Sequence, residues 1–157
     1  MATVSYPAFL PLPQRADQNM TQDTGWITSQ PAVGPAIITP VTTDIKATWT
    51  LQWIFTLAQA ERFKSWLRSP NHLDKGRNWF VMPIDLGDMQ GVQPQTLHFT
   101  DMPVQTSKNG SSVTWTATVI ANEVDDITED YDDWIVDAQP GYGYLLDLLV
   151  TDILPRP

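Results

Sequence analysis

A chain of 157 residues with 42% hydrophobic side chains is long enough to bury one core of ordinary domain size, with material left over for extensions. It has no cysteine, which excludes disulfides, thiolate catalysis and cysteine-based zinc or iron–sulfur sites. A formal charge of −9 argues against specific nucleic-acid binding, which needs clustered Lys and Arg to neutralise phosphates.

Residues 1–45 carry Pro7, Pro11, Pro13, Pro31, Pro35 and Pro40 with little periodicity. This is the pattern of an extended arm holding at most a short strand near 26–28. Residues 1–15 lack a basic start followed by an apolar run, and no stretch of about 18 apolar residues occurs, so the chain reads as a soluble protein made in a cytosol, with no membrane partner.

Period two begins at residue 46. Ala47, Trp49, Leu51, Trp53 and Phe55 fall on one face, with Lys46, Thr48, Thr50 and Gln52 on the other, which predicts a strand over 46–55 with one core face. The period switches at Thr56, which forms a capping-box signature with Gln59 and predicts a helix over 57–68. Its apolar stripe of Ala60, Phe63, Trp66 and Leu67 fits against the Trp49/Trp53 face. Ser69-Pro70-Asn71 ends it. A basic turn containing Gly76 then leads to an aromatic strand over 78–84.

Alternation over 96–106 predicts a further strand with Leu97 and Phe99 on one side and His98 on the other. Asn109-Gly110 predicts a type I′ hairpin, because both central positions need positive φ. Val113, Trp115, Ala117 and Val119 alternate with threonines beyond it. Residues 46–122 therefore read as mainly β, an antiparallel sandwich or barrel with one helix packed across it.

Composition changes after residue 122. Residues 1–122 hold eight acidic and eight basic side chains, whereas 123–157 hold ten acidic ones and only Arg156, so the whole net charge resides in the last part of the chain. The acidic run Glu123, Asp125, Asp126, Glu129, Asp130, Asp132 and Asp133 is expected to stay solvated or to face a basic partner. It offers oxygen ligands of the kind calcium takes, yet lacks the mid-loop Gly and position-twelve Glu of an EF-hand, and reads as a linker. The run Tyr142, Tyr144, Leu145, Leu146, Leu148, Leu149 and Val150 is too apolar to leave uncovered, and is expected to dock on its own domain or on a neighbour.

No nucleophile elbow, Gly-rich phosphate loop or H-E-x-x-H helix is present. His72 and His98 have no metal-ligand neighbour at a recognised spacing. No catalytic residue, cofactor or metal is assigned, and the chain is expected not to be an enzyme. Arg62, Lys64, Arg68, Lys75 and Arg77 read as a solvated or subunit-facing helix surface rather than a phosphate site. Trp49, Trp53, Phe63, Trp66, Trp79, Phe99 and Trp115 are expected core residues. Trp26 and Trp134 lie in the extensions and are expected, with Tyr142, Tyr144, Leu145 and Leu148, to contact a partner.

The succession Thr48-Trp49-Thr50-Leu51-Gln52-Trp53, a helix ending Arg62-Phe63-Lys64-Ser65-Trp66-Leu67, Gly76, and then Trp79-Phe80-Val81-Met82-Pro83 resembles minor tail proteins of tailed bacteriophages, over about residues 40–122. The resemblance implies a virion structural protein on the β-sandwich-plus-helix fold of tail-tube and distal tail rings. It further implies assembly in the bacterial host cytoplasm into a ring of identical copies, commonly a hexamer. Such a ring joins the tube to hub, tip or baseplate proteins and lets DNA pass through its lumen. The Pro-rich arm and the acidic extension depart from that pattern. The residues alone leave a second class open, a monomeric β-sandwich that binds carbohydrate through Trp26, Trp134 or Tyr142.

Overall fold

The computed structural model describes residues 3–16 and 18–140. Among them lie nine strands, β1 (Thr3–Ser5), β2 (Met20–Gln22), β3 (Trp26–Ser29), β4 (Ile37–Pro40), β5 (Ala47–Thr56), β6 (Trp79–Asp85), β7 (Val92–Phe99), β8 (Val104–Asn109) and β9 (Ser112–Ala121), and two α-helices, α1 (Leu57–Arg68) and α2 (Asp132–Asp137). The fold is mainly β, a seven-stranded mixed sheet in the order β1-β6-β7-β9-β5-β2, with β8 also on β9 and β3-β4 apart as a hairpin.

The central pair is β5 and β9, whose alternation puts every second side chain inward. Large residues face small ones across the ladder: Trp49 opposite Val119, Leu51 opposite Ala117 and Phe55 opposite Val113. Trp53 meets Trp115 at the middle. Helix α1 closes over this face. Its capping box forms as expected, the Thr56 hydroxyl accepting from the Gln59 N–H at 3.3 Å and the Gln59 side chain accepting from the Thr56 N–H at 2.9 Å. Ala60, Phe63, Trp66 and Leu67 are its buried residues. Phe63 is the hub of the core, with ring centroids 5.0 Å from Phe55, 5.3 Å from Trp53, 5.6 Å from Trp115 and 6.0 Å from Trp66.

Past α1 the chain reverses through Asp74, Lys75 and Gly76, all with positive φ, which buries Leu73 completely and starts β6. Here one expectation is corrected. Phe80, Met82 and Ile84 are the buried residues of β6, so Trp79 lies on the other face, half-buried with its ring 5.1 Å from His98. Successive strand residues point to opposite faces, so Trp79 and Phe80 cannot both face the core. Trp49, Trp53, Phe63, Trp66, Phe99 and Trp115 are all buried, as expected.

Two further expectations are revised. The strand read over 96–106 starts earlier and is broken: β7 pairs with β6 over most of its length and with β9 only at His98 and Phe99, and β8 resumes beside β9 from Val104. Across the break Thr100 stays attached through its N–H and hydroxyl, both to the Thr118 carbonyl at 3.1 Å, and Pro103, with no N–H to give, ends the gap. The β8–β9 turn is also shifted by one residue. Asn109 pairs with Ser112, leaving Gly110 and Ser111 in the loop with positive φ at Gly110 alone, the requirement of a type II′ rather than a type I′ turn.

The arm expected over residues 1–45 divides into two parts. Strand β1 runs parallel to β6 and is the departure from antiparallel pairing among the described strands; β2 pairs antiparallel with β5. Between them Tyr6 packs edge-on against Trp66 at 5.4 Å and donates to the Pro11 carbonyl at 2.6 Å, and Leu10 enters the core. Both outer edges of the sheet path are thus occupied by short strands of the same chain. Only the β3–β4 portion stands away from the body.

The acidic linker is anchored at its start. On the core face of β7, Gln95 donates to the Asp125 carbonyl at 2.6 Å and accepts from the Asp125 N–H at 2.8 Å, while Gln93 accepts from the Ile127 N–H at 2.9 Å. These two buried glutamines hold residues 125–127 as a pseudo-strand would, by satisfying their backbone groups.

Candidate functional site

Three surfaces stand out among the described residues. In the β3–β4 hairpin, Trp26 pairs with Pro40, Ile27 with Thr39, Thr28 with Ile38 and Ser29 with Ile37. Alternation sends Trp26 and Ile38 to one side of the ribbon and Ile27 and Ile37 to the other. None is covered: Trp26 is 51% exposed, Ile27 62%, Ile37 58% and Ile38 62%. An isolated two-stranded hairpin is marginal in water, and this one presents apolar side chains on both faces. Its base is tightly made. The Gly25 carbonyl accepts from Val41 and Thr42 at 2.9 and 3.3 Å, and a Cβ at Gly25 would lie 2.5 Å from Ile45 Cδ1 and 2.9 Å from the Thr42 carbonyl.

A second surface lies between α1 and β8. Lys64, Arg68 and Lys108 border an open groove of about 390 Å³ that is also lined by Leu57, Val113 and Glu61. The ion pairs among the described residues are Arg15–Asp85, Lys46–Asp23 and Arg77–Asp74, so none of these three cations meets a carboxylate. The acidic residues from Glu123 to Asp137 are equally without a cationic partner among the described residues. Of these, Glu129 and Asp130 lie in the 3-10 turn Glu129–Tyr131 and Asp132, Asp133 and Asp137 in α2, elements that carry no buried residue.

A third hollow, about 450 Å³, lies between the N-terminal segment and α1 and is lined by Pro7, Phe9, Trp66 and His72, with the Arg62 guanidinium 5.2 Å above the Phe9 ring. Ser65 and Ser69 line it beside His72. The His98 ring nitrogens lie 2.7 Å from the Phe99 carbonyl and 3.1 Å from the Arg77 carbonyl, and a neutral imidazole, with one N–H, can donate to one of the two. Among the described residues no group of three or more His, Asp or Glu is disposed to hold a metal ion, and no helix is long and apolar enough to cross a membrane. Burial pushes the Tyr6 phenol well above its ordinary range, with the Trp53 indole opposing in part. That indole N–H reaches hydrogen-bond geometry with no partner, so desolvation decides the shift.

Of the residues expected to contact a partner, Trp26 is on the hairpin and Trp134 on α2, both exposed and on separate elements. Neither lines the groove or the hollow. Tyr142, Tyr144, Leu145 and Leu148 lie outside the described residues. The sequence reading missed Ile27, Ile37 and Ile38. The signal was there: two short β-prone runs, Trp26-Ile27-Thr28 and Ile37-Ile38-Thr39, flank a loop of Pro31, Gly34 and Pro35.

Comparison with protein-family models, with curated proteins and with solved structures found no match for this chain.

Proposed function

We propose that this chain is a structural subunit of a phage tail, forming or completing a ring at the distal tail or tail tip and joining the tube to tip or baseplate proteins. The observation that carries this reading is the β3–β4 hairpin, a projecting ribbon with uncovered apolar side chains on both faces. Burying one such Ile gains about 1.5–3 kcal/mol, and the described residues leave all three isoleucines of the hairpin exposed. The likeness of residues 40–122 to minor tail proteins agrees with it. Strands β1 and β2 occupy the two ends of the sheet path, while β8 pairs with β9 alone among the described strands and leaves an outer edge open to a partner strand.

Sedimentation velocity and negative-stain imaging of the purified chain test the proposal. Ring-sized particles are expected, and Ile27→Asp with Ile38→Asp is expected to abolish them. A chain that stays monomeric at high concentration and fails to join tail particles overturns it. The half-exposed Trp26 also favours a second reading, a carbohydrate-binding module. Glycan-array binding by a monomeric chain, lost in Trp26→Ala, would decide for that.

A further inference from the structure

We infer that the basic groove between α1 and β8 of one copy receives the acidic segment 129–137 of a second copy, head to tail; this contact rests on the reading of the chain as a self-assembling subunit. The groove presents Lys64, Arg68 and Lys108 against a single acid, Glu61, beside the exposed, apolar Leu57. The segment offers the matching chemistry. It carries Glu129, Asp130, Asp132, Asp133 and Asp137 together with the exposed Val136, so acids can meet the cations while Val136 covers the exposed Leu57.

Within one copy the acidic segment sets off away from this groove. Val113, near the start of β9, lines the groove, whereas Ala121 ends β9 and hands the chain on to the acidic segment. At about 3.4 Å per residue, the intervening strand holds these points roughly 27 Å apart. Gln95 and then Gln93 grip residues 125 and 127 successively further along β7, and β7 runs antiparallel to β9. The acidic segment is therefore led onward, away from its own groove. Two different complementary patches at opposite ends of one subunit make a heterologous contact, which generates a ring when its rotation closes and a filament when it does not.

The test is charge reversal read by sedimentation velocity of the full chain at low salt. One variant carries Lys64→Glu, Arg68→Glu and Lys108→Glu, a second carries Asp130→Lys, Asp132→Lys and Asp133→Lys, and a third carries all six. All six positions are exposed, so each variant should melt with the native chain. Each triple reversal is expected to weaken self-association about tenfold or more, and the six-fold variant to restore it, because the charges again match. Raising salt should weaken the native contact over the range in which exposed charges are screened. Association unchanged by either triple reversal, or lost and not restored in the six-fold variant, overturns this contact and leaves the self-assembly reading standing. A native chain monomeric at low salt and high concentration overturns both.

Discussion

Phe63 touches four other aromatic rings of the core, and none of the elements carrying them can slide to fill its place without breaking the β5–β9 ladder. Phe63→Ala is expected to lower stability by about 3–5 kcal/mol, measured by urea denaturation. The core is held by shape more than by polar pairing, since the buried indole N–H groups of Trp49, Trp53, Trp66 and Trp115 have no hydrogen-bond partner. Tyr6 adds a pH dependence. Its folded-state proton is held more tightly than in the unfolded chain, where the ordinary value is 10.0. Its contribution is therefore complete below pH 10.0 and declines as pH rises further. Tyr6→Phe should flatten that alkaline decline in melting curves, while costing about 1 kcal/mol at neutral pH for the lost bond to Pro11. Gln95→Leu releases both backbone groups of Asp125 at about 1–2 kcal/mol, and limited proteolysis should then cut faster within residues 123–128.

At the scale of elements, α1 depends on its cap. Thr56→Ala removes the hydroxyl that accepts from Gln59 and is expected to cost about 1 kcal/mol, seen as a lower urea midpoint. The hairpin should behave in the opposite way. Ile27→Asp with Ile38→Asp alters exposed sites and should leave monomer stability within about ±0.5 kcal/mol, as calorimetry can check, while removing assembly. The bounds of α1, the inward faces of β5 and β9 and the hairpin between β8 and β9 were legible because each is written in local signals: a cap, a period, a Gly at a turn. What escaped depends on partners distant in sequence. Within residues 96–106 Asp101 and Pro103 fall on the face begun by Leu97 and Phe99 and mark the break, but nothing local shows that β7 leaves β6 for β9 there. Trp79 looks as apolar as Phe80, and only the register against Leu97 decides which one is buried. The hairpin was read as arm because its strands have four residues each and sit among prolines. Of the candidate surfaces, Trp26 and the separation of basic from acidic charge were visible early. The groove that gathers Lys108 with Lys64 and Arg68 was not, since it needs β8 to lie beside α1.

For the molecule as a whole, the first 22 residues act as selvedge. Strands β1 and β2 cover β6 and β5 and, at three residues each, are too short to template further strands, which guards against edge-to-edge aggregation. Removing residues 1–22 should bare both margins, and rising light scatter at constant concentration would report it. Gly25 has a broader effect. Any side chain there collides with Ile45 and the Thr42 carbonyl, so a substitution would swing the ribbon on its root while sparing the core. Such a mutant would pass every check applied to a single molecule. Its error would surface only when copies are added up, as a circle that misses its own starting point.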